Sequence, residues 1–201
     1  MTVAVLDYGL GNLGSVVNML KRLGASPQVV TTADEVSVAE RLLLPGVGAF
    51  DRGMALLESQ GLIAPIRKFA AQGRPLLGIC LGMQLLLDAS DEGARPGLGL
   101  IPGRSIRFRD RPGVRVPHMG WNRTTPLRED PLLADLPEDN RFYFVHSYHA
   151  IPANDSAVLT TTTYGEPFVS MIREQGTMGA QFHPEKSHLF GMTVLRNFCS
   201  L

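Results

Sequence analysis

The clearest chemical signal in this chain lies in Gly78–Gly82, where a cysteine stands between two glycines in a Gly-x-Cys-x-Gly pattern. The pattern is a cysteine version of the Gly-x-Ser-x-Gly turn, in which a strand passes sharply into a helix and exposes a nucleophile. A thiol at a helix N-terminus is favoured as the thiolate by the helix dipole. The N–H of Leu81 is unpaired in such a turn and can donate to an oxyanion. We therefore predict that Cys80 is the nucleophile of an acyl transfer.

A thiol nucleophile needs a base. The chain offers five histidines, at His118, His146, His149, His183 and His188. His183 stands out because it follows an apolar segment and precedes Pro184, which favours an extended backbone at the residue before it. Residues two apart in an extended chain face the same side. Glu185 is therefore predicted to bind the ring of His183 and fix its tautomer, as the third member of a catalytic triad does.

Other histidines leave two alternatives open. His146 and His149 are the next candidates for the base, and together with His183 they could hold a zinc ion. Their spacing lacks the compactness of common zinc motifs, so the sequence favours a site without metal.

A second glycine pattern, Gly9–Gly14, fits the Gly-x-Gly-x-x-Gly fingerprint of dinucleotide-binding folds. Asp34 and Glu35 follow about 20 residues further on, where a ribose-binding carboxylate is expected. Asp7 and Tyr8, however, crowd the end of the preceding strand and place a charge where a pyrophosphate would sit. Two interpretations remain open from these residues alone: a nicotinamide site, and a tight turn that lets a helix pack closely on the sheet.

Alternating strands and helices must position these groups in the first half of the chain. Strands are predicted at Thr2–Leu6, Pro27–Val30, Arg41–Leu44 and Pro75–Ile79, and helices at Asn12–Leu23, Leu62–Ala71 and Leu81–Asp88. The last of these strands is apolar on both faces, which is typical of a parallel sheet covered by helices on both sides. The nucleophile would then lie at the carboxyl end of a buried strand, where α/β active sites assemble.

The second half of the chain changes character and predicts antiparallel additions to that sheet. Short strands are predicted at Arg104–Phe108, Val114–Val116, Arg141–Val145, Val158–Thr163, Phe168–Arg173 and Met178–Phe182, followed by a closing helix at Leu189–Phe198. Arg107, Arg109 and Arg111 alternate, and we expect them to share a solvated edge face. The prediction is a single α/β domain over residues 1–201 with a mixed central sheet.

Composition limits the class of protein. Apolar residues make up 44% of the 201 and charged residues 19%, which argues against intrinsic disorder. The 19 Lys and Arg residues balance 19 Asp and Glu residues, so no overall field draws the chain to nucleic acid or membrane. No apolar run reaches the roughly 20 residues of a membrane span. We interpret Cys80 and Cys199 as free thiols of a cytoplasmic protein, and we expect Cys199 to serve in packing.

These motifs match a family. The segments Gly78–Gln84 and His183–Glu185 strongly resemble the class I glutamine amidotransferases, and further segments narrow the resemblance to the glutaminase subunits of imidazole glycerol phosphate synthases. Those segments are Asp7–Asn12, Leu44–Phe50, Val116–Asn122, Phe142–Tyr148 and Gln181–Ser187. The resemblance covers nearly the whole chain. It implies the three-layer fold of that family, with a mixed, mainly parallel sheet and antiparallel additions.

The resemblance also implies a reaction and a partner. Glutamine is hydrolysed to glutamate and ammonia, and the ammonia passes to a (β/α)8-barrel cyclase subunit in a heterodimer. The cyclase makes imidazole glycerol phosphate and an aminoimidazole carboxamide ribotide in histidine biosynthesis. No cofactor, no nucleic acid and no membrane are implied.

The resemblance further assigns residues to roles. Cys80 is the nucleophile, His183 the base and then the acid, and Glu185 the residue that orients it. The backbone of Leu81, Val47 and Gly48 forms the oxyanion hole. Glutamine is bound by Gly46, Gln84, Ser147 and Tyr148, and the partner is contacted by Asn12, Trp121, Tyr143 and Lys186. The two glycines of the Pro45–Gly48 loop let its peptides rotate at little cost, so partner docking is expected to complete the oxyanion hole.

Rival functions stay open at this point. Another cysteine-dependent α/β hydrolase, such as a peptidase or a γ-glutamyl hydrolase, would use the same nucleophile and base, although Val116–Asn122 and Phe142–Tyr148 argue against it. A glutaminase of a different pathway is disfavoured by Pro45–Phe50. A nicotinamide enzyme remains possible only through Gly9–Gly14.

Overall fold

The computed structural model describes residues 1–201, which form six α-helices and thirteen β-strands. The helices are α1 (Leu13–Arg22), α2 (Ala33–Val38), α3 (Phe50–Ser59), α4 (Ile63–Ala71), α5 (Leu81–Leu85) and α6 (His188–Ser200). The strands are β1 (Thr2–Leu6), β2 (Ser26–Val30), β3 (Leu42–Gly46), β4 (Leu76–Cys80), β5 (Ala89–Ser90), β6 (Gly103–Arg107), β7 (His118–Asn122), β8 (Thr125–Pro126), β9 (Phe142–His146), β10 (Tyr148–Pro152), β11 (Val158–Tyr164), β12 (Glu166–Glu174) and β13 (Thr177–Ala180). None of the helices combines the length and apolar character that a membrane crossing requires.

Five neighbouring strands form a parallel block in the order β2-β1-β3-β4-β13. In its register Gly46 of β3 lies opposite Cys80 of β4, and Ala180 of β13 lies opposite Ile79. The carboxyl ends of these strands therefore meet at one edge of the sheet. Parallel α/β sheets assemble their sites at this edge.

Antiparallel strands extend this block on one side. Strands β12, β10 and β6 continue the sheet, β5 closes its far edge, and β11 pairs with β12 and β8. Strands β7 and β9 form a separate antiparallel pair, in which His118 lies opposite His146. The predicted mixed α/β sheet with antiparallel additions is confirmed.

The two faces of the parallel block are covered by different helices. Val3 and Val5 of β1 pack with α1 and α6, whereas Ala4 and Leu6 pack with α2, α3, α4 and α5 on the opposite face. Because side chains alternate along a strand and both faces are buried, the inner strands β1, β3 and β4 are almost entirely apolar, whereas β2 at the edge is mostly exposed. Cys199 of α6 is buried in the first of these cores, which confirms its predicted packing role.

Some predicted elements differ from the structure. Val114–Val116 forms no strand, since only one isolated bridge joins Arg111 to Val114. Helix α5 ends at Leu85 and not at Asp88, because 3₁₀-type bonds tighten its last turn and the Asp88 N–H leaves to bond the Gly103 carbonyl. Strands β5, β7, β8 and β10 and helices α2 and α3 were not predicted.

The prediction that Arg107, Arg109 and Arg111 share a strand face is wrong. Strand β6 ends at Arg107, and the chain then turns so that Arg107 meets Asp110 at 3.1 Å. Arg111 meets Glu166 of β12 at 2.5 Å. All three side chains are exposed, as expected, but ion pairs and not strand alternation orient Arg107 and Arg111.

Candidate active site

The strand–turn–helix context predicted for Cys80 is confirmed. Cys80 is the last residue of β4 and directly precedes α5, with φ 54° and ψ −107°. A non-glycine residue held at such an angle costs on the order of 1–3 kcal/mol, which the surrounding packing must supply. A Cβ on Gly78 would lie 2.6 Å from the Gly82 carbonyl oxygen, and one on Gly82 would overlap the Leu44 carbonyl of β3. Only glycines let the turn sit this close to the sheet.

His183 and Glu185 meet at the same edge of the sheet. Nδ1 of His183 lies 2.8 Å from Oε1 of Glu185, and both side chains are 2% exposed. The predicted contact is present, and His183 has the extended backbone that Pro184 favours. The chain does not stay extended to Glu185, however, because Pro184–Lys186 forms a 3₁₀ turn. The hydroxyl of Ser187 donates to the His183 carbonyl at 2.6 Å and holds this turn closed.

The electrostatics of this site favour a charged imidazole. Burial opposes a charge on His183, but Cys80 and Glu185 outweigh it and raise the pKa of His183 to about 10. Nε2 of His183 is buried and makes no hydrogen bond within the chain, although Cys80 is near enough to act on the ring. Catalytic hydrogen bonds are often long without substrate and tighten in the complex. Cys80 and His183 are thus suited to a thiolate–imidazolium pair.

A cavity of about 300 Å³ opens over Cys80. Its lining includes the predicted oxyanion donors and three of the four predicted glutamine ligands: Val47, Gly48, Leu81, Gln84, Ser147 and Tyr148. Gly46 is outside the lining and pairs with Cys80 in the sheet. The N–H groups of Val47 and Gly48 form no hydrogen bond within the chain. Two donors of this loop therefore remain available to an oxyanion.

A larger hollow, of about 770 Å³, lies at Pro126–Ala134. It is lined by no cysteine or histidine, so it does not provide the nucleophile and base that the cavity over Cys80 contains.

The cavity also contains Glu92, which sequence reasoning missed. Glu92 is the one carboxylate in the lining, and its Oε2 accepts from the Phe50 N–H at 2.9 Å. It thus caps the N-terminus of α3, where the helix dipole favours a negative charge. In the sequence Glu92 stands beside Asp91 in a polar turn and gives no signal that distinguishes it from a solvated acid.

The Tyr148 carbonyl organises the wall of the cavity. It accepts from Nδ1 of His146 at 2.8 Å and from Nε2 of Gln84 at 3.0 Å. A carbonyl can only accept, so Nδ1 of His146 carries the proton and Nε2 is left to accept from Nδ1 of His118, 3.2 Å away. Nδ2 of Asn122 lies 3.4 Å from the remaining nitrogen of His118.

These contacts test whether His146 or His149 could act as the base in place of His183, and whether the three histidines could hold a zinc ion. Burial lowers the pKa of His146 to about 3 and that of His118 to about 4. Neutral His146 already uses both ring nitrogens, so it is unsuited to the role of base. Burial also lowers the pKa of His149. The structure contains no group of three or more His, Cys, Asp or Glu side chains arranged to hold a metal ion.

The Gly9–Gly14 segment is a turn that supports the active-site loop. A Cβ on Gly11 would come within 3.3 Å of Pro45 in that loop. Glu35, the candidate ribose ligand, instead accepts from the N–H groups of Thr31 and Thr32 at 2.9 Å and completes a capping box at the start of α2. The tight-turn interpretation accounts for these residues.

Three of the four predicted partner residues form one surface cluster. The ring of Trp121 lies 6.0 Å from that of Tyr143, and Nζ of Lys186 lies 5.6 Å over the Tyr143 ring. The His183 N–H donates to the Tyr143 carbonyl at 2.9 Å, so the cluster adjoins the turn that carries the base. Asn12 caps α1, where its side chain accepts from the Ser15 N–H at 3.4 Å.

The sequence matches the family described as glutamine amidotransferase class-I over residues 4–200. It is 46% identical over 200 residues to imidazole glycerol phosphate synthase subunit HisH 2 of Pseudomonas aeruginosa, covering 99% of each chain. It is 49% identical over 199 residues to subunit HisH of Xylella fastidiosa, covering 99% of this chain and 97% of the relative.

Solved structures agree on the fold. A crystal structure described as a glutamine amidotransferase superposes with a TM-score of 0.74 at 21% identity, covering 98% of this chain and 97% of the other. PurLQS from Thermotoga maritima superposes with a TM-score of 0.76 at 20% identity, covering 99% and 97%. The chain therefore belongs to the class I glutamine amidotransferases, within the family of imidazole glycerol phosphate synthase HisH subunits.

Proposed function

We propose that this chain hydrolyses the side-chain amide of glutamine and delivers the ammonia to a synthase partner. The observation that carries the proposal is the thiol of Cys80, held on a strained backbone beside the buried His183–Glu185 pair, under a cavity lined by the unpaired N–H groups of Val47 and Gly48. A primary carboxamide resists water, and a thiolate divides its hydrolysis into two easier steps.

In the first step the Cys80 thiolate attacks the carboxamide carbon, and the carbonyl oxygen becomes an oxyanion. The unpaired N–H groups of Val47 and Gly48 are the donors available to it. The His183 imidazolium then gives its Nε2 proton to the amide nitrogen, the carbon–nitrogen bond breaks, and ammonia leaves a γ-glutamyl thioester on Cys80.

In the second step neutral His183 takes a proton from water as the oxygen attacks the thioester. The carbon–sulfur bond breaks, glutamate leaves, and the thiolate–imidazolium pair is restored. Glu185 holds the ring through Nδ1 in both steps and stabilises its charged form.

The wall of the cavity explains selection of glutamine. The Glu92 carboxylate suits a substrate α-ammonium group, because it is the one negative side chain in the lining. Both N–H groups of Gln84 are already used within the chain, which leaves Oε1 as the atom that can accept from the substrate. Ser147 and Tyr148 also line the cavity.

We propose that the partner is a (β/α)8-barrel cyclase subunit. The relatives' names, which describe subunits of imidazole glycerol phosphate synthase, support a partner within such a synthase. Met119 and Trp121 of β7 are 63% and 47% exposed, and Leu189 of α6 is 74% exposed. Exposed apolar and aromatic side chains that lie together are typical of an interface core. A partner seated there would cover the exit for ammonia, which bulk water would otherwise protonate. We also propose that residues 1–201 act as one domain in the cytoplasm.

Glutamate release from glutamine tests the proposal, with and without a purified barrel subunit. The parent chain in the complex should release glutamate and ammonia in equal amounts. Cys80→Ala and Cys80→Ser should lose this activity and keep the parent circular dichroism spectrum. A Cys80→Ala complex that still hydrolyses glutamine would overturn the assignment, and cleavage of γ-glutamyl peptides in preference to glutamine would point to a hydrolase instead.

A further inference from the structure

Gln181 is a fully buried polar residue directly after β13, and the mechanism above does not use it. Its Nε2 lies 3.8 Å from the Cys80 sulfur, and its Oε1 accepts from Nε2 of Gln84 at 3.1 Å. We propose that Gln181 is a further catalytic residue, whose amide N–H donates to the sulfur of Cys80 and stabilises the thiolate.

The orientation of this amide follows from the Tyr148 carbonyl. That carbonyl can only accept, so Gln84 must present its nitrogen to it. The second N–H of the same nitrogen points to Gln181, which must therefore present its oxygen. The nitrogen of Gln181 is then the atom that faces Cys80. A flipped amide at either glutamine would place two oxygens or two N–H groups in contact.

Such a donor acts mainly on the charged form of the sulfur. A thiol sulfur is a weak acceptor, whereas hydrogen bonds to a charged acceptor are about twice as strong as neutral ones. The N–H of Gln181 therefore favours the thiolate over the thiol at a given pH. Gln181 donates a hydrogen bond to the sulfur through its amide, in addition to the interaction of the sulfur with His183.

Other titratable groups also surround the sulfur. They are His183 and Glu185 of the 3₁₀ turn, Tyr8 after β1, His146 of β9 and Glu92 after β5. Every one of them is kept in a chain changed only at Gln181, so a difference in thiol ionisation reports the lost donor.

The test is the pH dependence of Cys80 alkylation by iodoacetamide, followed by mass spectrometry of the Cys80 peptide. Gln181→Met removes the donor at similar size, and Gln181→Glu keeps an acceptor for Gln84 but turns a carboxylate to the sulfur. The alkylation midpoint should rise by about one pH unit in Gln181→Met, the tenfold expected for a lost bond to a charged group, and further in Gln181→Glu. Asn197→Asp, the same amide-to-acid change on α6, should leave the midpoint unchanged.

An unchanged midpoint in folded Gln181→Met would overturn the proposal. A second measurement needs no variant at this position: the side-chain amide resonance of ¹⁵N-labelled Gln181 should move with the ionisation of Cys80, and a resonance that stays still would equally overturn it. The inference rests on the proposed function in one respect only, namely that the thiolate is the nucleophile of glutamine hydrolysis. Alkylation does not require glutamine turnover, so the two proposals can fail separately.

Discussion

Replacing Glu185 by glutamine removes one charge from the site and little else. The substituted side chain has the same shape and can still present an oxygen to Nδ1 of His183, 2.8 Å from the present carboxylate. The pKa of His183 is about 10, against 6.5 for a free histidine, and this difference corresponds to about 5 kcal/mol. Cys80 and Glu185 both support the raised pKa, and one hydrogen bond to a charged group contributes about 1.5–3 kcal/mol. We therefore expect kcat/KM to fall about 10- to 100-fold.

The raised pKa of His183 sets the direction in which the pH dependence of kcat/KM and of stability should shift in Glu185→Gln. Because the pKa of His183 is raised in the folded chain, its charged form adds stability below the ordinary histidine pKa of 6.5, and this stability is lost as the pH rises through about 10. Without the carboxylate the folded pKa falls, so both the alkaline limb of kcat/KM and the alkaline loss of stability should move to lower pH in Glu185→Gln.

The assay is glutamate release by the assembled complex between pH 6 and 11, with thermal unfolding measured over the same range. Glu185→Asp is the matched control, since it keeps the charge and shortens the side chain. At alkaline pH Glu185→Asp should keep more glutaminase activity than Glu185→Gln. A Glu185→Gln profile whose alkaline limb coincides with that of the parent would refute the reasoning.

Three further changes test separate parts of the structure. Glu92→Gln should raise the KM for glutamine about tenfold with a smaller effect on kcat, and unchanged steady-state kinetics would remove Glu92 from substrate binding. Cys199→Ser buries a hydroxyl in the core, so the melting temperature should fall by a few degrees at unchanged kcat; a loss of turnover in the folded variant would contradict the packing role. Lys186→Ala removes the cation over Tyr143, and the activation of the glutaminase by the barrel subunit should fall about tenfold while the melting temperature stays the same. Equal activation in both proteins would exclude Lys186 from the interface.

The sequence alone determined the parts of the site that depend on local backbone geometry. A cysteine between two glycines, after an apolar strand, could be interpreted as a nucleophile turn because short-range sterics dictate that conformation. Glu185 could be paired with His183 because two residues of separation limit how far apart their side chains can lie. Apolar runs likewise predicted the inner strands of the parallel block, such as β3 and β4, since a strand buried on both faces must be largely apolar.

Tertiary structure decided the contacts between residues distant in the chain. Glu92 caps a helix 42 positions earlier, and the amide of Gln181 meets a sulfur 101 positions away. Neither contact has a period or spacing that the sequence could reveal, because both depend on the order of the strands and on their register. His146 was open as a base until its pairing with His118 across β7 and β9 showed that both ring nitrogens are occupied. Local sterics act within a few residues, whereas hydrogen-bond partners in a buried site are set by how separate elements pack.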